Sequence, residues 1–78
     1  IENHLATAIT SIYPNPFHNN LTIFSADNMK YKITDIKGRS ILSDRLTKGN
    51  NLVPTSMLEQ GIYFIVFENG KTKKLIKE

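Results

Sequence analysis

The sequence predicts an all-β domain with the fold of an immunoglobulin-like antiparallel β-sandwich of about seven short strands. Two observations carry this prediction. Segments rich in Ile, Val, Thr, Tyr and Phe recur roughly every ten residues, and turn-forming Gly, Pro, Asn and Asp residues separate them. No segment shows helical periodicity over several turns. The length of 78 residues accommodates one such domain.

The first three predicted strands cover residues 9–13, 20–25 and 30–36. Pro14 and Pro16 end the first strand, because proline removes a backbone donor and biases the preceding residue to an extended geometry. In the third strand, apolar residues alternate with lysines, which is typical of a strand with one buried face and one solvated face.

The next elements are a turn and two further strands. Residues 35–38 predict a tight turn, because Asp favours its first position and Gly takes the positive φ at its end. A fourth strand is expected over residues 40–46, with Ile41 as its core residue. Residues 48–51 predict a loop, and residues 52–54 a short strand.

The last third of the chain contains the most apolar segment. Residues 56–59 match a helix capping box, and Gly61 is placed to end a single helical turn from which Leu58 would enter the core. Residues 61–68 are apolar without alternation, so we expect both faces of that strand to be covered. Asn69-Gly70 predicts a hairpin, after which residues 71–77 form the last strand.

The composition favours neither an enzyme nor a cofactor-binding protein. Cysteine is absent, and two histidines without cysteines are too few for a zinc site, so we expect no cofactor and no metal. No serine, acidic pair or glycine-rich loop has the context of a nucleophile, a glycosidase dyad or a phosphate cradle. The longest apolar run, residues 62–67, is too short for a membrane helix, so we expect no direct membrane insertion.

Charge is distributed unevenly along the chain. The formal net charge is +3, and all 10 basic residues lie in residues 30–78. The densest cluster is Lys71, Lys73, Lys74 and Lys77. A basic end suits nucleic acid, anionic lipid or an acidic protein groove, whereas lysines on an edge strand also prevent aggregation. Charge alone leaves these alternatives open.

Four motifs occur in a fixed order along residues 12–77. They are Tyr13-Pro14-Asn15-Pro16 followed by Leu21 and Ile23, the turn Ile33-Thr34-Asp35-Ile36-Lys37-Gly38-Arg39, the segment Leu58-Glu59-Gln60-Gly61-Ile62-Tyr63, and the ending Lys73-Lys74-Leu75-Ile76-Lys77. In this order and spacing, the chain resembles the C-terminal sorting domains of the type IX secretion system (type A). The family often has an aromatic residue where Thr34 stands, a position that we expect to alternate outward.

The resemblance implies a secretion signal and no enzymatic activity. Residues 9–78 would be the sorting domain, and residues 1–8 a linker to an upstream cargo. The cargo would pass through the periplasm to the cell surface or extracellular space of a Gram-negative (Bacteroidota-type) bacterium. The partners implied are the type IX outer-membrane translocon and a sortase-like cysteine protease that cuts in or before the linker. No nucleic acid is expected among the partners.

The resemblance also divides the motif residues into two groups. We expect a scaffold group that fixes turns and packing: Tyr13, Pro14, Asn15, Pro16, Asp35, Gly38, Leu58, Gly61 and Tyr63. Tyr63 would donate its hydroxyl to a nearby backbone carbonyl. We expect the translocon to recognise Lys73, Lys74, Leu75, Ile76 and Lys77 by strand addition at the last strand. Arg39 either joins this recognition group or pairs with Asp35 across its turn, and both alternatives stay open here. Pairing of the same edge strand would also allow a homodimer.

Two other functions remain open at this point. A carbohydrate- or protein-binding accessory module would need a row of exposed aromatics on one sheet face, for which Phe17, Phe24 and Phe67 are the candidates, or an acidic cluster for calcium. A passive spacer would need neither feature. The three functions differ in whether the chain must stand last in its parent protein.

Overall fold

Seven strands make up the described part of the chain, residues 10–78 of a computed structural model. They are β1 (Thr10–Tyr13), β2 (Asn20–Ser25), β3 (Met29–Thr34), β4 (Ser40–Leu46), β5 (Gly49–Pro54), β6 (Gly61–Phe67) and β7 (Thr72–Lys77). The all-β prediction is therefore confirmed. The linker predicted over residues 1–8 lies outside the described residues. No helix capable of spanning a membrane occurs in residues 10–78.

The strands form two antiparallel sheets in a sandwich-like arrangement. One sheet has the order β1-β2-β5 and the other the order β4-β3-β6-β7. Alternate residues of the strands point between the sheets and form one apolar cluster, since side chains in a strand alternate between its faces. The fully buried members of this cluster are Phe17, Leu21, Ile23, Ile33, Leu46, Ile65 and Leu75.

Strand β3 has the alternation that its sequence predicts. Tyr31 and Ile33 are buried, and Lys30 and Lys32 are exposed. Thr34 continues the alternation to the outer face, where it pairs with Phe64 of β6. It is nevertheless buried, because Phe64 and the irregular start of β4 flank this small side chain.

Two expectations for β4 and β5 are wrong. Ile41 is 43% exposed, because the register between β3 and β4 shifts at this point and leaves Ile41 without a partner, while Leu46 enters the core instead. Strand β5 begins at Gly49 and not at residue 52, because residues 49–51 pair with β2 in continuous register. Backbone pairing here overrides the weak strand propensity of Gly and Asn.

The helical turn predicted over residues 56–59 is absent. The N–H of Leu58 donates to the carbonyl oxygen of Thr55 at 3.0 Å, which closes a β-turn. The N–H of Thr55 donates to the carbonyl oxygen of Asn19 at 2.9 Å, so the start of the segment is bonded to another part of the chain. Nucleation of a single helical turn is unfavourable in itself. Leu58 enters the core, as predicted.

Strand β6 is covered on one face only. Tyr63, Ile65 and Phe67 are buried between the sheets, as the pattern requires. On the opposite face Ile62 is 44% exposed, and Phe64 is half-buried. The expectation that both faces are covered is therefore wrong for the described chain. The apolar outer face has no sheet or loop of residues 10–78 packed over it.

Candidate functional site

The last strand, β7, forms a hairpin with β6, and the turn between them lies at Asn69-Gly70, as predicted. The N–H of Gly70 donates to the carbonyl oxygen of Phe67 at 2.8 Å, and the N–H of Phe67 donates to the carbonyl oxygen of Lys71 at 2.8 Å. Gly70 has a φ of +91°, a conformation that side chains disfavour. The hairpin places β7 beside β6 at one edge of the four-stranded sheet.

The residues of the recognition group lie on different sides of β7. Leu75 is buried between the sheets, and Lys77 is only 7% exposed. Lys74 and Ile76 face outward, opposite Phe64 and Ile62 of β6. Lys73 is exposed at the strand edge, although its partner Ile65 lies in the core. A partner approaching the folded domain would therefore meet Lys73, Lys74 and Ile76 first.

The ammonium group of Lys77 is enclosed by backbone oxygens. It donates to the carbonyl oxygen of Thr55 at 2.9 Å and to the carbonyl oxygen of His18. The ring centre of Phe17 lies 5.8 Å from the same nitrogen, within the range of a cation–π contact. Lys77 thus fastens three separate segments together. Its predicted role in recognition would require this end of β7 to open.

The outward edge of β7 is occupied by residues of the Tyr-Pro-Asn-Pro motif and by Phe17. The side-chain amide of Asn15 donates to the carbonyl oxygen of Lys74 at 3.0 Å and accepts from the N–H of Ile76 at 3.1 Å. The backbone of Phe17 then continues as a short parallel bridge, which donates to the carbonyl oxygen of Ile76 and accepts from the N–H of Glu78, both at 2.9 Å. We call residues 15–17 the edge cover.

The edge cover limits where another strand could pair with β7. From Lys74 to Glu78 the outward carbonyl oxygens of residues 74 and 76 and the outward N–H groups of residues 76 and 78 already have partners. An added strand would have to displace the edge cover or stop near Thr72. Strand addition and the edge-paired homodimer therefore stay predictions, and the structure shows what opposes them.

Phe17 is a core residue whose position the sequence analysis did not predict. It was expected to be a spare, exposed aromatic, but it is fully buried and lies beneath the ammonium group of Lys77. Phe67 is also buried, so it is not available to a carbohydrate. Phe24 and Tyr13 remain exposed, and their registers place both on the outer face of the three-stranded sheet. Within residues 10–78 that face therefore presents two exposed aromatic side chains and not a row.

Other residues of the predicted scaffold group lie in turns or make hydrogen bonds close to them. The hydroxyl of Tyr63 donates to the carbonyl oxygen of Glu59 at 2.7 Å, which is the backbone bond predicted for it. The hydroxyl of Tyr13 donates to the side-chain oxygen of Asn50 on β5 at 3.2 Å, next to the edge cover. Pro14 and Pro16 flank Asn15 in the exposed loop, and Gly61 opens β6.

Asp35 organises the turn between β3 and β4. Its side chain accepts from the backbone N–H groups of Lys37 and Arg39, each at 2.9 Å, and from the Nε of Arg39 at 2.8 Å. The hydrogen bond from the Arg39 backbone is the largest cause that lowers the pKa of Asp35 from 3.8; desolvation opposes the shift, while the Arg39 side chain adds to it. Gly38 closes the turn with a φ of +86°. The Arg39 side chain is still 75% exposed and accessible to a partner.

We expect Arg39→Gln to raise the pKa of Asp35 only partly towards 3.8, because the backbone donors remain when the guanidinium is removed. Because the folded pKa is lowered, the carboxylate stabilises the fold fully at pH values above its ordinary pKa of 3.8. This stabilisation is lost as the pH falls through the folded pKa. Asp35→Asn should therefore differ most in stability from the wild type at neutral pH and approach it in acid. Carboxyl-carbon NMR titration measures the pKa of Asp35 in Arg39→Gln, and unfolding at several pH values measures the stability of Asp35→Asn. If the pKa of Asp35 is unchanged in Arg39→Gln, the guanidinium does not contribute to lowering it.

No group of three or more metal-ligating side chains comes together within residues 10–78. His18 is exposed beside Glu78, with 4.0 Å between its Nε2 and the carboxylate. The site consists of a basic strand with one apolar outward residue, Ile76, and its free edge is bonded to the edge cover. That arrangement suits recognition by another protein.

Fold and site together define a small β-sandwich whose chain ends in a fastened, basic edge strand. Residues 11–78 match the family of secretion system C-terminal sorting domains, and the match covers most of the chain. The chain belongs to this family and carries the C-terminal sorting signal of type IX secretion. The family is not a class of enzymes. No curated protein matches the chain significantly.

Proposed function

We propose that the domain directs an upstream cargo through the type IX outer-membrane translocon, which reads the exposed part of β7. Lys73, Lys74 and Ile76 form this part, and Arg39 adds a charge from the β3–β4 turn. Leu75 and Lys77 hold the strand in place from inside. The observation that supports the proposal is the family match over residues 11–78. In the fold, Asn15 of the first motif is hydrogen-bonded to Lys74 and Ile76 of the last strand.

The proposal includes the fate of the domain after export. A sortase-like cysteine protease removes it by cutting in residues 1–8 or upstream of them, and the cargo is released or attached to the cell surface. In this reaction the domain is a substrate and not a catalyst. The cargo then resides on the surface or in the medium of a Bacteroidota-type bacterium.

A fusion assay tests this function. A periplasm-targeted fluorescent protein carries the chain at its C-terminus in a bacterium with type IX secretion. We expect the wild-type fusion to reach the surface or medium, and the double variant Lys73→Gln/Lys74→Gln to be exported about fivefold less, because cations at the rim of an interface steer association. The matched control Lys37→Gln/Lys48→Gln makes the same charge change at exposed positions elsewhere.

The outcomes separate the parts of the proposal. Retention of the wild-type fusion in the periplasm contradicts the sorting function in that host, and binding of the chain to polysaccharides, with Tyr13→Ala/Phe24→Ala as the variant, becomes the next measurement. If both double variants are exported equally, the sorting function stands, but recognition of Lys73 and Lys74 by the translocon is contradicted. The mass of the exported reporter shows whether the domain is cut off and at which bond.

A further inference from the structure

The outer face of the four-stranded sheet carries an apolar strip, and no further sheet of residues 10–78 packs over it. The strip consists of Ile62, Phe64 and Val66 of β6 and Ile76 of β7, and the strand registers place these side chains next to one another. Ile62 and Ile76 are 44% and 36% exposed. Strands of a sheet that is packed on one face normally carry polar residues on the other. Four adjacent apolar side chains on a solvent face make a candidate interaction surface, and the charges around them decide what it fits.

Cations surround the strip. Lys74 lies opposite Phe64, and Lys32 lies opposite Val66. Lys30 and Arg45 lie directly opposite each other on β3 and β4, where like charges destabilise a sheet. None of these four forms an ion pair with a carboxylate in residues 10–78.

In the described strands β3, β4, β6 and β7 the register places no acid on this face, and Glu68, directly after β6, is the acid next to it. Glu68 accepts from the backbone N–H of Lys30 at 2.8 Å through its Oε1. An open depression of about 560 Å³ lies along this basic end of the strip, with Lys32, Arg45 and Val66 in its lining.

We infer that this outer face docks a protein partner whose contact surface has an apolar centre and an acidic rim, and that the partner is a component of the secretion machinery. The inference deepens the proposed function and rests on it. An apolar centre buried inside a polar rim is the usual anatomy of a protein interface. Complementary charges at the rim set the approach and the register of the partner.

A second copy of the chain fits this face less well. The four cations and one acid give the face a net charge of +3, so two copies meeting through the same face would place like charges together. A partner with carboxylates instead relieves the repulsion between Lys30 and Arg45. Charge complementarity therefore selects an acidic partner over self-association.

Opposite charges placed at one position of the strip test the inference. Ile62→Glu and Ile62→Lys both remove the apolar contact, but only the glutamate repels an acidic rim. We expect the exported fraction of the fluorescent fusion to fall at least about tenfold for Ile62→Glu and clearly less for Ile62→Lys. The matched control is Leu52→Glu, because Leu52 is exposed on the outer face of the other sheet. Thermal unfolding of each purified fusion identifies variants that fail to fold.

A cross-linking experiment locates the contact directly. Replacement of Phe64 by p-benzoylphenylalanine should give a photo-adduct with a type IX outer-membrane component identified by mass spectrometry, and replacement of Leu52 should not. Export of folded Ile62→Glu at the wild-type level overturns the inference while the sorting function stands. Two outcomes would contradict the inference that the partner is acidic. One is an adduct between two copies of the chain, and the other is an equal loss of export in Ile62→Glu and Ile62→Lys. If the wild-type fusion is not exported, the proposed function itself fails.

Discussion

Replacing Lys77 by methionine should destabilise the domain by about 2 kcal/mol, because hydrogen bonds from a charged donor contribute roughly 1.5–3 kcal/mol. Methionine keeps the length of the side chain over the ring of Phe17 but cannot donate to the carbonyl oxygens of His18 and Thr55. The loss stays moderate since each oxygen keeps one other donor, the hydroxyl of Thr55 for His18 and the N–H of Leu58 for Thr55.

Lys77→Ala should cost more, about 4 kcal/mol, because it also removes the aliphatic stem that packs at the end of the core. Urea unfolding of the purified chain measures both losses. Lys73→Met makes the same chemical change on an exposed residue of the same strand and should stay within about 0.5 kcal/mol of the wild type. A Lys77→Met variant as stable as Lys73→Met would show that the buried ammonium group does not hold the strand.

Local patterns in the sequence were sufficient to predict most strands. The alternation in β3, the proline stop after β1 and the Asn69-Gly70 hairpin each depend on neighbours within a few residues, so the sequence alone contains their cause. The error at β5 has the opposite origin. Residues 49–51 have little strand propensity of their own and become a strand only because β2 offers them partners.

The candidate site was predictable only in part for the same reason. The ending Lys73-Lys74-Leu75-Ile76-Lys77 indicates a basic strand, but strand periodicity alone does not show that Lys77 meets two carbonyl oxygens from distant loops. Phe17 gave no signal because its burial depends on the loop folding over the end of the core. The structure also separates Lys74 and Ile76, which face outward, from the buried Leu75, a division that the predicted recognition group did not make.

Asn15→Ala should weaken the domain and uncover the edge of β7. It removes both bonds of the side-chain amide, to the carbonyl oxygen of Lys74 and from the N–H of Ile76, and we expect a loss of about 1–2 kcal/mol because each such bond contributes about 1 kcal/mol. The backbone groups set free lie on a sheet edge, where a second chain can bond to them. Asn15→Asp keeps the acceptor for Ile76 but loses the donor to Lys74, so it should also open the edge.

The measurement is light scattering over a range of protein concentrations, together with urea unfolding. Asn15→Ala and Asn15→Asp should associate at concentrations where the wild type is monomeric. The control Asn19→Ala lies in the same loop, and the Asn19 side chain makes no hydrogen bond within residues 10–78, so this variant should behave as the wild type does. If Asn15→Ala stays monomeric and stable, water replaces the amide without consequence, and Asn15 does not protect the edge. Association of the wild type itself at the same concentrations would contradict the prediction, because it would show that the edge cover does not keep the domain monomeric.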